Sequence, residues 1–184
     1  MRTIERFLSE KSSWILQKQQ AADKRKIRNQ QAPNGIKLWG ETLDLKIERS
    51  HRRSITRDQT HSLRVVLLPS DGKAEQQRLL DHYYRLELKE KIAHLSSSWE
   101  RRLGVSANEY RVKKMRTRWG SCNIRSKRIW LNLWLAEKPI EQFELVLVHE
   151  LVHLIEAGHG KRFQDLMNRW LPDWRDRDKA LNLK

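Results

Sequence analysis

The feature that most constrains this chain is His149-Glu150-Leu151-Val152-His153, set in a stretch with helical apolar spacing. Ile140, Phe143, Val146, Leu147, Leu151, Leu154 and Ile155 recur at three- and four-residue intervals, which predicts a helix with a broad buried face. Pro139 should open it, since proline's missing N–H is harmless in a first turn, and Gly158 should close it. Two imidazoles four residues apart then share one face and can reach a single ion. Glu150 follows the first of them, a position suited to contacting a water rather than the ion and hence to the general-base role.

Two histidines leave a zinc ion short of protein ligands. His159 lies six residues beyond His153, past Gly158, where the chain can turn back and complete an open three-ligand site with one position for water. Three of the chain's seven histidines fall within these eleven residues. Three imidazoles make a borderline-soft donor set, so zinc is expected over magnesium, which prefers an oxygen shell; copper, nickel or cobalt could substitute in vitro. The other four, His51, His61, His82 and His94, read as exposed or packed side chains.

Composition bounds the rest. The 184 residues suit one compact domain with a helical extension. Cys122 is the single cysteine, so an intrachain disulfide and a cysteine-based zinc finger are both excluded, and a reducing cytoplasm is the expected location. The opening residues mix charges where a secretory signal needs an apolar core, and no run approaches the roughly 18 apolar residues of a membrane span. Net charge is +15, which makes a polyanionic partner such as nucleic acid or a nucleotide plausible, although charge alone reports on association rather than on a ligand.

Along the chain, residues 3–31 read as a polar helical arm, giving an extension over 1–33 and a main domain over 34–184. Ile36 to Ile47 suggests a hairpin turning near Gly40-Glu41, Arg49 to His61 a loop or exposed hairpin end, and Leu63 to Leu68 a buried strand. A long helix is expected over 74–103, stopped by Gly104. Tyr110–Met115 and Ile129–Leu133 read as two strands of a hairpin with Gly120-Ser121 as a turn candidate. A last helical stretch carries Phe163, Leu166, Met167 and Trp170 before Pro172.

Arg118-Trp119-Gly120-Ser121-Cys122, the strand through Asn132, the His-Glu-Leu-Val-His helix and His159-Gly160-Lys161-Arg162-Phe163 together resemble the YgjP-like metallopeptidases, relatives of the SprT-like zincins. The resemblance covers residues 110–172. It implies an α+β, single zincin-like domain with a small, mainly antiparallel sheet. It also implies one zinc ion held by His149, His153 and His159, with Glu150 catalytic. The leading arm departs from the compact family pattern. Metzincins share the spacing of the three histidines but place a glycine three residues after the second, where this chain has Glu156.

Arg118 to Cys122 resembles the family's hairpin beside the zinc cleft, so Arg116, Arg118 and Trp119 are candidate substrate-binding residues, acting through charge or strand addition. Trp130 and Trp134 flank apolar residues and read as core packing rather than base stacking. Cys122 as a fourth ligand would close the site and make it structural. The resemblance implies a peptidase; some members are described as acting on UTP, and SprT-like relatives associate with DNA. Motifs do not separate peptide or protein, nucleotide and nucleic-acid partners, and the oligomeric state stays open.

Overall fold

The computed structural model describes residues 35–58 and 61–182; the helical arm expected over 3–31 lies outside them. The first half is a four-stranded sheet in the order β1-β2-β4-β3, built from β1 (Gly35–Leu38), β2 (Glu41–Arg49), β3 (Ser54–Arg57) and β4 (Ser62–Leu67). Trp39 (φ 51°) and Gly40 (φ 86°) form the two-residue turn between β1 and β2, both left-handed as a tight hairpin turn demands. The expected hairpin is therefore present. Leu43, Leu63, Val65 and Leu67 carry this sheet's buried side.

Helix α1 (Lys73–Leu103) crosses the molecule, burying Leu80, Tyr84, Leu88, Ile92, Trp99 and Leu103 and stopping at Gly104, whose φ of 68° no β-branched residue would tolerate. A second sheet follows, ordered β5-β7-β6, from β5 (Glu109–Lys113), β6 (Gly120–Asn123) and β7 (Arg128–Asn132). A short 3-10 turn over Leu133–Glu137 leads into α2 (Ile140–Val152), then α3 (Lys161–Trp170) and α4 (Trp174–Asn182). Pro139 caps α2 just outside its first turn rather than within it.

The two halves of the core meet at Trp39. Its backbone N–H donates to Ala136 O at 2.7 Å, its indole N–H donates to Glu87 on α1 at 3.0 Å, and its ring packs edge-on against Phe143 of α2. Farther along α2, Glu144 accepts from the Trp99 indole at 2.9 Å and from Arg177 of α4 at 2.7 Å. The helix that carries the metal-ligand motif is thus fastened to α1, to α4 and to the first hairpin.

Five expectations are corrected. The sheets are mixed rather than mainly antiparallel: β2 and β4 run parallel, as do β5 and β7. Tyr110–Met115 and Ile129–Leu133 are accordingly not the arms of one hairpin, because β6 occupies the antiparallel place beside β7, with Cys122 opposite Ile129. Gly120-Ser121 begins that strand instead of a turn. The polar stretch Arg49–His61 contains β3, an edge strand whose exposure removes the apolar alternation that would have revealed it. Lastly, α2 ends at Val152, well before Gly158; Leu154 and Ile155 keep the apolar rhythm but pack from a tight turn.

Candidate metal centre

His149 sits in the last turn of α2, and His153 is its C-terminal cap. The turn through Glu156 reverses the chain, and His159 precedes Gly160, which caps α3. The three rings converge: His149 Nε2 lies 3.2 Å from His153 Nε2 and 3.0 Å from His159 Nε2. One ligand atom from each of the three falls within 4.8 Å of the others, and Cys122 is not in the cluster.

The donor set fits a metal ion on its own chemistry. His153 Nδ1 lies 3.0 Å from Glu156 O, and since a carbonyl only accepts, Nδ1 carries the proton and Nε2 presents a bare lone pair to the centre. Tetrahedral zinc with bonds of about 2.0–2.1 Å would hold neighbouring nitrogens about 3.3 Å apart, close to the separations seen. His149 is pushed down to about 4 by burial and by the two neighbouring imidazoles, and burial also lowers His153, shifts that favour the neutral form a metal ligand requires. Phe163 of α3 floors the cluster, its ring centre 4.8–4.9 Å from each imidazole.

Glu150 projects from α2 beside His149 and is 5 % exposed. Burial raises its carboxyl to about 8, with the Arg118 charge working against that rise. Its side chain lies against the backbone of β6: a Cβ added at Gly120 would meet Glu150 Oε1 at 2.5 Å. A cavity of about 190 Å³ opens here, walled by Trp119, Gly120, Leu145, Val146, His149, Glu150, Asp178 and Leu181.

The structure distributes the candidate substrate residues unevenly. Trp119 lines this cavity and donates from its indole to Asn182 of α4 at 3.4 Å. Arg118 lines a separate groove on the far side of β6, and Arg116, exposed, lines neither. Cys122 is half-buried, its thiol pushed up to about 11 by burial and the nearby Glu150 carboxyl, which keeps it protonated.

Sequence reasoning named the strand through Asn132 but gave the residue itself no role. Buried in the apolar run 131–136, its amide donates to Met115 O at 2.9 Å and Arg118 O at 2.7 Å, while its oxygen accepts from Met115 N–H at 3.2 Å and Trp134 N–H at 3.3 Å. Its own N–H donates to Trp119 O at 2.9 Å. One side chain thereby shapes the irregular segment that delivers Arg118, Trp119 and Gly120. A lone amide within Leu-Asn-Leu-Trp-Leu was the available signal, since a buried amide must find partners.

A helix-borne histidine pair with a third histidine and a buried glutamate defines a site of the metallohydrolase class. The chain belongs to the YgjP-like metallopeptidase domain family, whose model matches residues 1–184. No curated protein matches it. Among solved structures it is similar to the metallopeptidase zymogen of Pyrococcus abyssi abylysin, at 18 % identity and TM-score 0.45, over 50 % of this chain and 96 % of that one. It is also similar to the zymogen of Methanocaldococcus jannaschii jannalysin, at 18 % identity and TM-score 0.40, over 50 % and 91 %. No helix among the described residues is long and apolar enough to cross a membrane.

Proposed function

We propose that the chain is a zinc-dependent peptidase holding one ion on His149, His153 and His159, with Glu150 as general base. The observation that carries this reading is the convergence of three Nε2 atoms beside a buried carboxylate, in a member of a metallopeptidase family. The catalytic unit is residues 34–184, with 1–33 as an extension, and the single cysteine favours a cytoplasmic setting.

Bound zinc supplies Lewis acidity to the attacking water and the scissile carbonyl. The protein's own residues do the rest. Glu150 takes a proton from the water as its oxygen attacks the carbonyl carbon, then returns it to the amine as the C–N bond breaks. Burial holds the Glu150 carboxyl near 8 against the pull of the Arg118 charge, and a bound dication would lower it toward the ionised form a base requires. β6 is an edge strand, so its outer backbone edge can take the substrate as an added strand. The cavity beside Trp119, Leu145 and Val146 suits an apolar side chain.

A nucleotide reading, pyrophosphate cleavage in UTP at the same centre, draws on the cations Lys113, Arg118 and Arg125 around the far groove. A nucleic-acid-associated role draws on the net charge of +15.

The test is metal analysis of purified protein followed by hydrolysis of unfolded protein and of UTP by the wild type and by Glu150→Gln. Close to one zinc per chain is expected, with peptide hydrolysis falling roughly 100- to 10,000-fold in the variant while zinc stays bound. Full hydrolysis by zinc-loaded Glu150→Gln would overturn the base assignment. Glu150-dependent turnover of UTP alone would replace the peptidase reading with the nucleotide one.

A further inference from the structure

The outer face of the second sheet has a chemistry that the metal centre does not use. A groove of about 470 Å³ follows β6 there, with Lys113, Arg118 and Arg125 around the β6 residues Ser121, Cys122 and Asn123, and no acidic side chain lines it. Several other arginines are neutralised by carboxylates. Arg53 pairs with Asp71, Arg177 with Glu144 and Asp173, and Arg111 and Arg128 share Glu109. Among the described residues Arg118 and Arg125 make no ion pair, and Lys113 stands over the Trp130 ring at 4.4 Å. Three cations are therefore gathered around one groove with no carboxylate on its wall, which favours an anionic visitor.

The register of β6 says how such a visitor would arrive. Gly120 lies opposite Leu131, whose side chain is buried, and abuts Glu150, so it marks the inner face; Cys122, opposite the buried Ile129, reaches the groove as well. Ser121 and Asn123 lie opposite Trp130 and Arg128 and face the groove. A strand added to the free edge of β6 continues this alternation, sending every second side chain inward to the metal centre and the others outward to the cations.

We propose that this groove is a specificity subsite for acidic side chains, so that the enzyme prefers peptides with Asp or Glu at outward positions two residues apart. These are the residues opposite Ser121 and Asn123, one and three places from the residue that faces Gly120. The inference rests on the peptidase reading and adds to it the class of substrate. Charge-assisted hydrogen bonds from Arg118 and Arg125 give each carboxylate roughly tenfold or more in kcat/KM, and added salt erodes that gain.

The experiment uses the full-length zinc-loaded protein and internally quenched decapeptides in which Glu, Lys or Gln is placed at each position in turn. The expected profile shows Glu favoured at two positions separated by one, and in Arg125→Glu the preference at one of them turns to Lys. The same peptides titrated into zinc-loaded Glu150→Gln by calorimetry give an affinity ranking free of turnover, expected to place Glu first. Cleavage with no preference for Glu, or equal binding of the three peptides, overturns the subsite while leaving the peptidase standing. Absence of peptide cleavage and of peptide binding, with UTP bound and hydrolysed, overturns both.

Discussion

Gly120 and Glu150 are in direct apposition: a methyl group in place of the glycine hydrogen would stand 2.5 Å from the carboxylate oxygen and 2.7 Å from Cγ. The glycine is there for room, because its backbone is ordinary strand.

Gly120→Ala is therefore expected to displace the carboxylate rather than unfold the chain. Overpacking of this kind costs about 1–3 kcal/mol, and misplacing a reacting group by an ångström costs about 100-fold in rate. Zinc content unchanged with kcat strongly reduced is the expected pair of results. Normal kcat would mean that Glu150 tolerates displacement, which a general base should not.

Asn132→Ala removes the only side chain among the described residues that ties Met115 and Arg118 to β7, and strands several main-chain groups. A loss of about 2–3 kcal/mol in urea unfolding is expected, with faster amide exchange localised to residues 115–119. Exchange that rises evenly over the protein would show that the amide is a general core residue instead.

His159 and Phe163 separate ligation from support. His159 is exposed, so His159→Ala should leave the fold intact in circular dichroism while abolishing tight zinc binding. Phe163 is fully buried beneath all three rings, and Phe163→Ala should cost about 3–5 kcal/mol together with a 10- to 100-fold fall in zinc affinity. Undiminished zinc affinity in His159→Ala would require a different third ligand.

The Asp71 carboxylate accepts from Arg53 at 2.6 and 2.8 Å and from the Leu68 N–H at 2.8 Å, and the Arg53 guanidinium in particular lowers it to about 2. Its unfolded value is near 3.9. A depressed folded value means that the contribution to stability is complete above about pH 4 and disappears as pH falls through about 2. Asp71→Asn should be less stable at neutral pH and show a flatter stability profile between pH 4 and pH 2. A slope identical to wild type would assign the acid sensitivity elsewhere.

The cluster of three histidines was legible because its information is local. A four-residue spacing on a helix dictates a shared face whatever surrounds it, and the rings of His149 and His153 converge accordingly. What was illegible depends on partners distant in sequence. Nothing in Tyr110–Lys113 says that its neighbour is a parallel β7 rather than the next segment, and Gly120 looks like turn chemistry until the Glu150 side chain is placed against it. The end of α2 was obscured because Leu154 and Ile155 keep helical periodicity while packing from a non-helical turn, so the pattern outlasted the hydrogen bonding.

That early end of α2 reaches beyond catalysis. With His153 on the cap and His159 just before α3, the two rings bracket a short irregular loop, and an ion between them would act as a removable cross-link between two helices. Filling the centre then becomes part of folding, and losing the ion frees the loop and α3 together. If the proposed ion is what joins them, a cell short of it would hold not a dormant reserve of this protein but a more easily degraded one.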